Sequence, residues 1–190
     1  MSSTAAGRSL TMVSVGIAAV VVLLDQATKR WAVSTLADGH TVDVIGSLRF
    51  NLTFNSGMAF SQGRGAGPLI GVVALVVIVV LLISLRRNGS MLSAVGIGLV
   101  IGGAIGNVLD RVFRSGEGVL GGAVVDFIDL QWWPVFNVAD MAVTVGGVIL
   151  VLGSVLAGRH ARTGPTVDER VDERVDEGVD GGVDRDEALE

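Results

Sequence analysis

Gly102-Gly103-Ala104-Ile105-Gly106-Asn107-Val108-Leu109-Asp110-Arg111 is the stretch that decides the fold. It closes an apolar run that starts near residue 91, and it turns polar abruptly, with an amide, an acid and a guanidinium within five residues. Three further apolar runs cover roughly residues 10–24, 68–85 and 138–157, each near the ~20 residues a helix needs to cross a bilayer. A chain that crosses four times alternates direction. The C-terminal ends of the first and third helices therefore share a membrane side with the N-terminal ends of the second and fourth. Asp25, Lys29, Asn55, Asn107, Asp110, Arg111, Asp126, Asn137 and Asp140 all fall on that side. Ionisable groups in or near hydrocarbon are costly, so they pair and mark functional sites.

The expected fold is a membrane all-α four-helix bundle, with helices at about 10–36, 68–85, 91–110 and 138–157. A small extracytoplasmic β-sheet is expected between helices 1 and 2. There, Leu48, Phe50, Leu52 and Phe54 alternate with Arg49, Asn51, Thr53 and Asn55, the period-two pattern of a half-buried strand. Val42 and Val44 supply a partner strand across a turn at Gly46-Ser47. Val124-Val125-Asp126-Phe127-Ile128 reads as another short strand, and Trp132-Trp133 suit a lipid–water interface. Gly98, Gly102 and Gly106 recur every four residues in the third helix, a spacing that admits a close neighbouring backbone. Arg86-Arg87-Asn88-Gly89-Ser90 is a tight loop that makes the second and third helices antiparallel. The first apolar run resembles a secretory signal, with Ala32-Val33-Ser34 as a loose cleavage site. Its polar continuation and the three spans that follow favour an uncleaved helix.

Composition narrows the chemistry. Half of the 190 residues are hydrophobic, there is no cysteine, and His40 and His160 are the two histidines. Disulfides, thiolate catalysis and Cys-ligated metals are excluded, and a histidine zinc site or serine–histidine triad is disfavoured. Carboxylates, amides, Arg and Lys remain. The net charge of −5 divides unevenly: residues 165–190 hold eleven acids and three arginines, the rest eight acids and eleven Lys/Arg. The sequence divides into a cytoplasmic N-terminus at 1–9, a membrane domain at 10–160 and an acidic, disordered cytoplasmic tail at 161–190, with VDER-type repeats from Val167. Basic flanking residues number five on one side and six on the other, and Arg86-Arg87 tip both termini to the cytoplasm.

Asp126 and Asp140 form the strongest catalytic pair. Two close carboxylates resist joint ionisation and share a proton, so one can take a proton from water while the other polarises a carbonyl. Asp140 also has a plain reading: Asn137 caps the fourth helix and Asp140 lies in its first turn. Asp25 and Lys29, one turn apart, read as a structural ion pair on a helix surface. Asn55, Asn107, Asn137 and Arg111 fit a role in fixing the geometry around the aspartates or holding a substrate's main chain. A proton or ion carrier is the rival class, but the polar groups crowd one end of the helices rather than the midplane. A non-catalytic scaffold leaves the clustered carboxylates without a reason.

Five motifs appear in order: Asp25-Gln26-Ala27-Thr28-Lys29, Asn55-Ser56-Gly57-Met58-Ala59-Phe60, the Gly102–Arg111 stretch, Val124–Ile128, and Phe136-Asn137-Val138-Ala139-Asp140. Together, over residues of about 10 to 157, they resemble the bacterial lipoprotein signal peptidase (signal peptidase II) family. The resemblance implies an aspartic endopeptidase of the bacterial cell membrane. Such an enzyme needs no cofactor or metal and removes the signal peptide of a prolipoprotein before its diacylglyceryl-modified Cys. It implies Asp126 and Asp140 as the catalytic dyad and Asn55, Gly57, Asn107, Asp110, Arg111 and Asn137 as substrate-binding or supporting residues. Asp25 and Lys29 are structural in that pattern. It further implies cytoplasmic termini, an active site near the extracytoplasmic face, contact with membrane lipids but not nucleic acid, and sensitivity to globomycin-type inhibitors. Met141 departs from the smaller residue expected after the second aspartate, and the acidic repeat has no counterpart in the family core.

Overall fold

The computed structural model describes residues 3–57, 67–85, 90–114, 116 and 118–162. It contains four helices, α1 (Ser3–Leu36), α2 (Gly67–Leu85), α3 (Met91–Phe113) and α4 (Val138–Arg162), and three strands, β1 (Val42–Ile45), β2 (Leu48–Asn55) and β3 (Val124–Asp129). All four helices are long and apolar enough to cross a membrane. The Arg86–Gly89 loop, the segment 58–66 and the acidic repeat lie outside the described residues.

α3 is the centre of the bundle. In its spanning segment 56% of residues are buried, against 11% in that of α2, whose valines and leucines face outward. Glycine makes this possible. A Cβ at Gly98 would lie 2.7 Å from the Ser14 carbonyl of α1, and one at Gly102 would lie 2.8 Å from Val21. Gly96 and Gly103 open the other face of α3 to α4, at Leu150 and Ala139. Without a hydrophobic drive between helices in lipid, this close packing is what holds them together. The Ser14 hydroxyl adds a buried bond by donating to the Ala94 carbonyl at 2.7 Å.

α1 runs 34 residues, roughly 51 Å at helical rise and well beyond the ~30 Å of a hydrocarbon core. Its last turns leave the core and carry the sheet. Ala32 and Leu36 pack against Val125 and Phe127 of β3, with Phe50 and Leu52 of β2 alongside. The Trp31 ring meets Phe50 edge-on at 5.1 Å. α1 starts seven residues before the apolar run, and α3 continues past Asp110 to Phe113, where Arg114 caps it by donating its N–H to the Asp110 carbonyl.

The sheet expected between the first two helices is present, with Gly46 at φ +56° in its turn. It also gains a third strand from the connection between α3 and α4, in the antiparallel order β1-β2-β3. The β2–β3 register sets Thr53 opposite Asp126 and Asn55 opposite Val124, with an irregularity between Phe50 and Thr53. This pairing brings Asp126 beside the Asn55-Ser56-Gly57 motif at the end of β2.

Candidate active site

The site begins with two aspartates delivered by different elements. Asp126 lies on β3, where each carboxylate oxygen accepts one amide: Asn55 Nδ2 donates to Oδ2 at 3.0 Å and Asn137 Nδ2 to Oδ1 at 2.7 Å. Asp140 sits in the first turn of α4 and accepts from Asn107 Nδ2 at 2.9 Å. The Asn137 N–H donates to Asp140 Oδ2 at 3.2 Å, and the Asp140 N–H donates to Asn137 Oδ1 at 3.0 Å. That reciprocal pair is a capping box, so the plain reading of Asp140 holds in part. The other oxygen of Asp140 is committed elsewhere. Asn137 Nδ2 also donates to Asn107 Oδ1 at 3.2 Å, which links the two aspartates through two asparagines.

A buried ionic cluster stands behind this link. Asp25 and Lys29 are both 0% exposed, so the surface ion pair read from their spacing is in fact an interior one. Lys29 Nζ lies 2.8 Å from Asp25, 3.0 Å from Asp110 and 2.9 Å from Asn107 Oδ1. Because Asn107 Oδ1 takes the ammonium, its NH₂ must point at Asp140. The two buried acids then hold backbone. Asp110 Oδ2 accepts the Val125 N–H at 3.1 Å, and Asp25 Oδ1 accepts the Ala139 N–H at 3.0 Å. Each therefore fixes the residue immediately before one of the two site aspartates.

Burial pushes the Asp126 carboxyl up, Asp140's charge adds to this, and the amides of Asn55 and Asn137 oppose it, leaving it at about 7. Perturbation of this kind, in a cleft, marks candidate acid–base groups. Both aspartates line a cavity of about 400 Å³ that runs from Asn107 and Arg111 along Val73, Val77 and Val143. Arg111 is 5% exposed. Its Nη2 donates to the Gly57 carbonyl at 3.4 Å, and Nη1 has no partner among the described residues. A buried N–H without an acceptor is expensive, so a group entering the cavity gains by accepting it. Gly57 also donates its N–H to Asn55 Oδ1 at 3.0 Å.

The site thus gathers Asn55, Gly57, Asn107, Arg111, Asp126, Asn137 and Asp140, with Asp25, Lys29 and Asp110 behind them. Met58-Ala59-Phe60 of the second motif fall outside the described residues. Three participants were not read from the sequence. Arg114 Nε donates to Asp110 Oδ1 at 2.8 Å, and the i,i+4 spacing could have revealed it. Gln26 Nε2 donates to the Gly106 carbonyl at 3.1 Å, with Asp25 and Asp110 also in reach. A Cβ on Gly67 would meet Arg111 Nη1 at 2.7 Å, and only tertiary structure shows this.

The chain is similar to curated proteins named lipoprotein signal peptidase. It is 44% identical to that of Mycobacterium leprae over 140 residues, 73% of this chain and 69% of the relative. It is 47% identical to that of Mycolicibacterium smegmatis over 143 residues, 75% of this chain and 60% of the relative. Among solved structures, a bacterial membrane enzyme determined by the in meso method matches with a TM-score of 0.68 and 28% identity, covering 81% of this chain and 93% of the other. With four spanning helices, the chain is a multi-pass membrane protein. The model of signal peptidase (SPase) II matches residues 17–156, and the chain belongs to that family of membrane proteases.

Proposed function

We propose that this protein removes the signal peptide from diacylglyceryl-modified prolipoproteins, cutting before the lipidated Cys, and that Asp126 and Asp140 activate the water. The observation that carries the reading is the meeting of these two aspartates at one cavity, joined through Asn137 and Asn107. The dyad holds one proton. Its ionised member takes a proton from water as the oxygen adds to the scissile carbonyl, and its protonated member gives a proton to that carbonyl oxygen. Collapse of the resulting diol breaks the C–N bond. The departing amine takes the dyad's proton while a diol hydroxyl gives its proton to the other aspartate as the product carboxyl forms, so the dyad returns to its one-proton state.

The other residues hold the substrate. Arg111 Nη1 donates to a main-chain carbonyl of the substrate within the cavity, and Asn55, Asn107 and Asn137 keep the carboxylates in position. The apolar wall built by Val73, Val77 and Val143 suits a signal sequence arriving from the bilayer. In this reading both termini are cytoplasmic, the site lies near the extracytoplasmic face, and cyclic peptides of the globomycin type compete for the cavity. The absence of native cysteine makes single-Cys labelling from either side a direct check of that orientation.

The test is a gel-shift cleavage assay with purified full-length protein. Its substrates are one diacylglyceryl-modified prolipoprotein and the same precursor without lipid. Cleavage of the lipidated form alone, lost in Asp126→Asn, is the expected result. A folded wild-type protein that leaves the lipidated precursor intact would overturn the proposal.

A further inference from the structure

Asp140 lines a second cavity that the mechanism above does not use. It measures about 450 Å³ and is walled by Trp132, Trp133, Phe136, Met141, Thr144 and Val145. α4 separates the two spaces. At 100° per residue, Val143 falls to one side of Asp140, and Met141, Thr144 and Val145 fall to the other. Val143 lines the first cavity and the other three line the second. One carboxylate therefore stands where two grooves meet.

We infer that the groove of Trp132, Trp133, Phe136, Met141, Thr144 and Val145 takes the glycerol-linked acyl chains of the substrate's lipidated cysteine. This rests on the proposed reaction and names the second half of its substrate site. A lipidated precursor carries two apolar bodies on the two sides of one peptide bond: the signal sequence before it and the acyl chains after it. A dyad at the junction of two grooves accommodates both without folding one back over the other. The first groove runs beside Val73, Val77 and Ala104 of α2 and α3, and the second leaves on the far flank of α4.

The chemistry of the second groove selects its occupant. Thr144 and Asp140 are the polar residues of an otherwise apolar wall, and among the described residues no Lys or Arg lines it. A phospholipid phosphate would meet Asp140 with no cation to balance it, whereas the thioether-linked diacylglyceryl group is neutral. Trp132 and Trp133, 71% and 57% exposed with ring centroids 6.3 Å apart, sit at the mouth in a form suited to the ester level of a bilayer. From Asp140 to Val145 the groove follows α4 for about 7–8 Å, after which the chains enter lipid. Met141, larger than the residue expected after the second aspartate, becomes part of the lipid-contacting wall.

The experiment uses full-length Asp126→Asn protein in nanodiscs and a prolipoprotein whose acyl chains carry a diazirine. Photo-crosslinks at residues 132–145 are expected. Crosslinks on Val73 and Val77 instead, or a pattern matching that of a diazirine phosphatidylglycerol, would overturn the assignment. In otherwise wild-type protein, Val145→Trp fills the groove. It should raise KM for a dipalmitoyl precursor about tenfold, the worth of fewer than two buried methylenes, and spare a dibutyryl precursor. Equal effects on both chain lengths would count against the groove. Wild-type cleavage with crosslinks elsewhere sinks the groove alone, while failure of the wild type to cleave sinks the reaction and the groove together.

Discussion

Replacing Lys29 with Met tests whether the buried ionic cluster holds the site together. The side chain keeps its bulk but loses three contacts, to Asp25 at 2.8 Å, Asp110 at 3.0 Å and Asn107 at 2.9 Å, all inside the protein. Removing one partner of a buried ion pair costs about 3–5 kcal/mol, because the charge left behind is unpaired. Asp110 still has Arg114 and the Val125 N–H, and Asp25 still has Gln26 and the Ala139 N–H. Those remaining partners place the loss at the lower end, about 3 kcal/mol. For a chain of this size that corresponds to a fall in melting temperature of about 6–12 °C. The assay is thermal unfolding in one detergent, with the double variant Asp25→Asn/Lys29→Met run beside it. The double variant should be more stable than Lys29→Met alone, since it removes the orphaned charge as well. A single variant within about 1 kcal/mol of wild type, or a double variant that is simply additive, would refute the reasoning.

Other outcomes follow from the same geometry. Asp140→Asn should reduce cleavage by at least about a thousandfold, because it loses the carboxylate's acid–base function, and should stay folded with a melting temperature a few degrees lower, because its NH₂ replaces an oxygen that accepts from Asn107 or Asn137; a folded variant with wild-type turnover would remove Asp140 from the dyad. Activity should fall as pH rises through about 7, where Asp126 gives up the shared proton, and a pH–rate profile that stays flat to pH 9 would contradict the one-proton dyad. Asn137→Ala removes amide bonds to Asp126 and Asn107 and one half of a helix cap; about 1–3 kcal/mol of stability should go with them, measured by unfolding. Gly103→Val places a side chain against the Ala139 backbone of α4, and loss of folded protein on size-exclusion chromatography is expected; normal yield would mean that α3 and α4 pack more loosely than this.

The helices were legible because their signal is long: about twenty apolar residues leave little choice in a bilayer. The strand at β2 was legible from alternation. What sequence could not supply was its neighbour. β3 is buried along nearly its whole length, so Val124–Ile128 shows no alternation to say which strand it pairs with. The pairing of Thr53 with Asp126 is a tertiary fact. Asp25 and Lys29 were visible as a pair from their spacing, but spacing within one helix says nothing of what packs over them. Their interior position depends on Gly106, whose missing side chain leaves room for the Asp25 carboxylate: a Cβ there would stand 2.6 Å from Oδ2. The fit of Gly67 against Arg111 lay equally beyond reach, joining residues 44 positions apart in the chain.

The order in which the buried charges leave the ribosome has its own consequence. Asp25 and Lys29 emerge first, before Asp110 exists to receive the ammonium and before Ala139 exists to bond Asp25. One helical turn apart and 2.8 Å from each other, they can enter the bilayer as a self-neutralised pair and wait there. Asp126 and Asp140 arrive last; the backbone before Asp126 is clamped by α3, and that before Asp140 only when α4 has met α1. A chain still being synthesised, or one that has lost its fourth helix, therefore has a membrane anchor but not the paired aspartates of the proposed site. On the proposed mechanism, cleavage waits for the last helix to insert.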